Sequence, residues 1–243
     1  MRLRLLMALL AAAAFLLSAC TGPSAQEEMY EHLEKAVTLE DAFREQQEPL
    51  VELESQEQEL YNQIIELSMN EFDQIKQLSQ EAAGIVEDRR EKLELEKESI
   101  EAAKEEFDKI EPLLSDLEEG SEVKEKADEL YDKMQQRYDA YQQLYSNYDQ
   151  ALTLDAELYE MMQNEELTQE DLQAQIDEIN QAYTKVIESN DQFNQYTEEY
   201  NQLKKEFYEA SDLEVEFEEP SNNEENNGQE ENSDQTEESN SSE

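Results

Sequence analysis

Few residues in this chain have the chemistry to act on another molecule. The single cysteine, Cys20, closes the stretch "LLSAC" at residues 16–20. A thiolate is a far better nucleophile than a hydroxyl, so one thiol at a fixed place suits transfer of a group onto sulfur. No second cysteine exists, which excludes an intramolecular disulfide. His32 is the sole histidine, ruling out zinc sites built on two or more imidazoles and paired Glu-x-x-His iron sites. It sits between Glu31 and Leu33 early in a predicted helix and is expected to face solvent. Carboxylates number 65 and fall in runs such as "ESQEQE", on what should be solvated helix faces. Glycosidase-type chemistry instead needs a carboxyl of raised pKa in an apolar cleft, facing a second carboxyl across the substrate. With only four glycines and few turns there is little loop to wall off a pocket, so no catalytic residue is expected. Tyr138, Tyr141, Tyr145 and Tyr148 recur at steps of three and four and form one stripe on a helix. Amphipathic rings suit a half-exposed interface between helices; the alternative is a platform that stacks on sugar rings or contacts a partner.

The residues before Cys20 explain its position. Arg2 and Arg4 make a positive start, residues 5–17 are uncharged and apolar, and Ser18 and Ala19 are small. This is the layout of a secretory signal, and the apolar run is too short to span a bilayer comfortably. "LSAC", with a branched aliphatic residue, two small residues and cysteine, looks like a bacterial lipobox. The expectation is a lipoprotein signal peptide at 1–19, a diacylglyceryl group on Cys20, and a short tether over 20–26. Two or more acyl chains, at about 0.8 kcal/mol per buried CH₂, anchor a protein stably to a membrane.

The charge balance excludes other functions. After loss of Arg2 and Arg4 the chain holds 16 Lys plus Arg against 65 Asp plus Glu, a formal charge of −49. Such a chain should bind no nucleic acid through phosphate contacts. No glycine-rich phosphate loop or dinucleotide fingerprint is present. No cofactor is expected, beyond diffuse association of Mg²⁺ or Ca²⁺ with the crowded carboxylates.

The elements that position these residues are long helices. Residues 27–210 are rich in Glu, Gln, Leu, Ala and Lys, all good helix formers. Apolar residues step by three and four along Ile75, Leu78, Ala82, Ile85, Leu93, Ile100, Ala103 and Phe107. A second seam follows Leu130, Met134, Arg137, Tyr141, Leu144, Tyr148, Leu152 and Leu158, and a third follows Leu172, Ile176, Ile179, Tyr183, Val186, Asn190 and Phe193. That beat belongs to coiled coils and long bundles. Gly120 and Ser121 read as a helix stop and a cap, and Thr168 with Asp171 as a second cap. Short turns make neighbours antiparallel. The expected fold is all-α: long antiparallel helices in an elongated, coiled-coil-like three-helix bundle within 27–210. The rod before residue 75, with its own seam through Leu33, Val37, Phe43, Leu50, Leu53, Leu60 and Ile64, needs a further partner. Either the chain folds back at Pro49 or a second copy supplies the partner, making a homo-oligomer. Residues 211–243 form an acidic tail; from residue 218 it has ten acids and no base, and is expected to stay disordered.

Four stretches carry a resemblance: "FREQQEPLVELESQEQELYNQIIEL", "RREKLELEKESIEAAKEEF", "RYDAYQQLY" and "QIDEINQAYTKVIESNDQFNQYTEEYNQLKKEFY". Together with the lipobox they resemble the cell-wall-binding lipoprotein family (YkyA-like) of Bacillus-type Gram-positive bacteria, over about residues 20–215. The resemblance implies a non-enzymatic lipoprotein on the outer face of the cell membrane, facing the wall, with cell-wall polymer as partner. It carries over one functional residue, Cys20. The alternative function is a helical scaffold that engages another envelope protein without touching glycan.

Overall fold

The computed structural model describes residues 23–213. The expected signal peptide, Cys20 and all of the acidic tail past residue 213 lie outside the described residues. Every regular element in the described part is helical: α1 (Ala25–Leu39), α2 (Asp41–Glu66), α3 (Phe72–Phe107), α4 (Glu122–Met161) and α5 (Gln169–Ala210), with 3₁₀ stretches at Met69–Glu71 and Asp108–Asp116.

Local chemistry sets the helix ends. Ser24 and Glu27 form a reciprocal capping box: the Ser24 hydroxyl accepts from the Glu27 amide, and the Glu27 carboxylate accepts from the Ser24 amide at 2.6 Å. Gly120 takes φ +77°, a conformation that glycine adopts without strain, and Ser121 then caps α4 by accepting from the Lys124 amide. Thr168 caps α5 from the Asp171 amide at 3.1 Å, as expected. Its hydroxyl also donates to the Asp171 carboxylate at 2.6 Å, so Asp171 answers the side chain of the cap and not its amide.

The first rod breaks at Glu40 and not at Pro49. Pro49 lies well inside α2, whose helix runs on to Glu66. At the break, Ser99 of α3 replaces the lost helical bonds. Its hydroxyl accepts from the Phe43 amide at 3.0 Å and donates to the Leu39 carbonyl at 2.6 Å. Arg137 of α4 grips both Glu40 oxygens, at 2.7 and 2.8 Å. Orphan backbone groups buried at a break need such partners.

The chain reverses after Leu67, so α1 and α2 run antiparallel to α3. Pairings such as Glu57 with Arg89, Phe43 with Ser99 and His32 with Glu106 show the opposed directions. The rod's seam therefore finds its partner within the same chain, not by folding back at Pro49. The antiparallel helices α3, α4 and α5 are present as expected, and the α1–α2 rod joins them as a fourth, giving an up-down-up-down arrangement. Layers of side chains fill the interior. Phe43, Tyr141 and Phe193 meet edge-on or tilted in one layer, with centroids 5.6 to 6.0 Å apart. Phe107 packs on Tyr131 and Tyr200 in another. His32 is not free in solvent: its Nδ1 lies 2.7 Å from Glu106, which Lys35 and Lys109 also contact.

Candidate functional site

Packing closes between α2 and α3, α3 and α4, and α4 and α5, but the ring does not close fully between α2 and α5. A cleft of about 650 Å³ remains there. Its two walls are largely apolar: Leu50 and Val51 on α2, and Ile176, Ile179, Val186 and Ile187 on α5, with the amides of Gln47, Gln58, Asn180 and Asn190 among them. Val51 and Ile187 stand exposed at the lips. The shortage of loop suggested that no pocket would form; helices themselves wall this one. Ile179 accordingly lies half-buried on the cleft wall, not inside a closed seam.

The floor is polar and is built around Arg89 of α3, only 2% exposed. Its Nη1 donates to Glu57 of α2 at 2.5 Å and to Asp155 of α4 at 3.4 Å. Its Nη2 donates to Glu54 of α2 at 3.2 Å, to the Tyr148 hydroxyl at 3.0 Å and to the Tyr183 hydroxyl at 2.9 Å. The phenols then donate onward, Tyr148 to Glu54 and Tyr183 to Asp155. One cation thus faces three carboxylates drawn from two helices, with phenols from two helices closing the ring.

Burial, followed by the like charge of Glu57, pushes Asp155 up to about 6 against the relief given by Tyr183 and Arg89. Burial likewise raises Glu96 on α3 to about 8, opposed by its bond from Gln47 and reinforced by the charge of Glu54. Tyr141 lines the same cleft, 1% exposed, and its hydroxyl has no hydrogen-bond partner.

The tyrosine stripe is divided by this geometry. Tyr141 and Tyr148 turn inward and line the cleft, and Tyr145 reaches its edge while donating to Glu94. Tyr138 and Tyr145 carry the ammonium groups of Lys104 and Lys97 over their rings, at 5.2 and 4.4 Å. Tyr138 does not line the cleft. The stripe is therefore not one open platform.

Reading apolar residues alone misses the cleft floor, yet a signal exists. Along α2 the seam jumps from Leu53 to Leu60, along α3 from Ile85 to Leu93 to Ile100, and along α4 from Leu152 to Leu158. The positions skipped are Glu57, Arg89, Glu96 and Asp155, and all four are buried. A charge standing where the beat requires an apolar residue marks the site.

No group of three or more His, Cys, Asp or Glu side chains able to hold a metal ion occurs among the described residues. No described helix is long and apolar enough to cross a membrane.

A family described as "Putative cell-wall binding lipoprotein", YkyA, matches residues 24–210. This chain belongs to that family. It is 35% identical over 204 residues to the uncharacterized lipoprotein YkyA of Bacillus subtilis (strain 168), covering 84% of this chain and 91% of that protein. Its fold is similar to a 1.6 Å crystal structure of a conserved protein of unknown function from Staphylococcus aureus. There the TM-score is 0.66 at 15% identity, covering 78% of this chain and 98% of the other, a likeness of fold alone. Membership in the YkyA family implies a membrane-anchored, extracytoplasmic protein, and neither the family nor its Bacillus member is described as an enzyme.

Proposed function

We propose that this YkyA-family chain is a non-enzymatic lipoprotein, held on the outer face of the membrane through lipidated Cys20, that binds cell-wall polymer in the cleft between α2 and α5. The cleft carries this reading. A concave site with apolar walls and a few converging polar groups is the usual form of a binding pocket, and this one holds several tyrosines able to pack on sugar or peptide. The family's description supports the class of ligand. Catalysis fits the geometry poorly. Glu57 and Asp155 would be the acid pair, but Arg89 Nη1 contacts both and fills the space that a scissile bond would need. Of the tyrosine stripe, Tyr141, Tyr145 and Tyr148 are assigned to the ligand, and Tyr138 is not.

The exposed Val51 and Ile187 at the lips favour a second reading, in which an amphipathic helix of another envelope protein lies in the cleft. Sedimentation with purified sacculi tests the first reading. The mature chain, made without its export signal so that Cys20 stays unacylated, should pellet with sacculi, and Ile179→Trp, which fills the cleft, should abolish that. Binding unaffected by Ile179→Trp removes the cleft from the function. No binding to sacculi, together with crosslinking to one envelope protein in cells, replaces the first reading with the second.

A further inference from the structure

The charge inside the cleft is not balanced by the protein. Glu54, Glu57 and Asp155 carry three formal negative charges around the single positive charge of Arg89. The Arg89 and tyrosine donors converge on one oxygen of each of two carboxylates, Oε1 of Glu54 and Oδ2 of Asp155. The other oxygen of Glu54, on a side chain 44% exposed, is open to a further donor. A hydroxyl on the cleft also lacks a partner: that of Tyr141, which can accept a hydrogen bond from a donor. A buried polar atom without a partner is costly, and a bound ligand is one way to satisfy it.

The missing partner has a definable chemistry. An anion such as a polymer phosphate would meet a surplus of negative charge beside apolar walls of low dielectric, where repulsion is strong. A divalent metal ion has no site, since Arg89 occupies the point among the three carboxylates. A primary ammonium group fits: it is compact, it donates three hydrogen bonds, and phenol rings attract it through their faces. Glu54 is the point of entry, because its side chain is 44% exposed while Glu57 and Asp155 are buried.

We infer that the cleft recognises a primary ammonium group, docked at Glu54 beside Tyr148, with the apolar part of the ligand along Ile176, Ile179 and Val186. This rests on the cleft being the binding site. It also accounts for how so acidic a protein would engage a wall that is itself largely anionic: the contact is with the amines of the wall. Two sources share this chemistry, free amino groups of uncrosslinked stem peptides and aminoacyl esters on polyol-phosphate polymer.

The test uses the mature, unacylated full-length chain. It is titrated with Nα-acetyl-lysine methylamide and with the same compound acetylated on its side-chain nitrogen, and followed by NMR of the tyrosine rings. Saturable shifts at Tyr148 and Tyr183 with the free amine are expected, at least tenfold weaker for the acetylated form. Glu54→Gln should weaken amine binding at least tenfold, whereas Glu52→Gln, on the exposed face of the same helix, should not. Equal shifts with both compounds, or none with either, overturn the inference. Sacculi are then compared untreated, after mild alkali that removes aminoacyl esters, and after full N-acetylation. Loss of binding after alkali assigns the ester; loss only after N-acetylation assigns the peptide amine. Undiminished binding to N-acetylated sacculi overturns the inference while leaving wall binding intact. Amine binding without any sacculus binding overturns the wall reading and leaves the inference standing.

Discussion

Arg89 on α3 donates to the Tyr183 hydroxyl on α5 at 2.9 Å, tying two helices that are not neighbours in the packing order. The same guanidinium reaches α2 through Glu57 and Glu54, and α4 through Asp155 and Tyr148. One side chain therefore sets the axial register of all four helices beside the cleft.

Removing that cation should be expensive. Arg89→Leu leaves Glu57 and Asp155 buried without their counterion and should destabilise the fold by about 3–5 kcal/mol in urea unfolding. Replacing Arg89, Glu57 and Asp155 together by leucine should restore most of the loss, because a whole buried ion group can be exchanged for apolar packing at little cost. A triple variant as unstable as Arg89→Leu would contradict this account of the core.

Stability should depend on pH in an unusual direction. Asp155 rises from its ordinary 3.8 to about 6 in the fold, and Glu96 from 4.5 to about 8. Each therefore holds its proton more tightly folded than unfolded, and its contribution is greatest when protonated. Stability should fall as pH rises from about 4 to about 8, since over that range the folded state keeps protons that the unfolded state has already lost. Glu106, held down at about 2 by Lys109, Lys35 and His32 against the effect of burial, acts oppositely, and its contribution disappears only as pH falls from its ordinary 4.5 toward 2. Thermal unfolding should thus show its highest Tm near pH 4. Glu96→Gln should flatten the decline toward pH 8; a Tm that climbs between pH 5 and 8 would count against both shifts.

Substitutions on the inner seam and on the cleft wall should differ. Leu152 is fully buried, and Leu152→Ala should cost about 2–5 kcal/mol. Ile179 is half-buried on the cleft wall, so Ile179→Glu should cost about 1 kcal/mol, its carboxylate staying hydrated. Equal losses would mean that the cleft is closed in solution.

Cys20→Ser should remove the acylation nucleophile while leaving the export signal unchanged. The protein should then appear in the medium or persist as unprocessed precursor, read by fractionation and by its N-terminal mass. Normal membrane retention would refute lipidation at Cys20.

Millimolar Mg²⁺ or Ca²⁺ should raise Tm gradually and without saturation. The cause is screening of carboxylates crowded along adjacent helices, since no dedicated metal cage exists among the described residues. A sharp, stoichiometric rise would instead require a specific site.

The helices and their ends were legible in the sequence because their causes are local. A seam repeating every three and four residues buries one face whatever lies opposite, and Ser121 or Thr168 caps the helix that follows from three residues away. The break at Glu40 was not legible, because what sustains it is Ser99 on α3 and Arg137 on α4, 59 and 97 residues further on. Proline at 49 is a stronger local signal, yet the packed rod carries it without stopping. The stripe from Tyr138 to Tyr148 was visible as spacing, but only the lysines of α3 and the gap beside α5 decide which rings turn into the cleft. The charged positions that interrupt the seams were likewise visible one at a time. Glu57, Arg89 and Asp155 become a site only when three helices are set in register, 32 and 66 residues apart along the chain. Periodicity determines which face of a helix is buried; it carries no information on how far one helix slides along another, and the tertiary structure alone settles that.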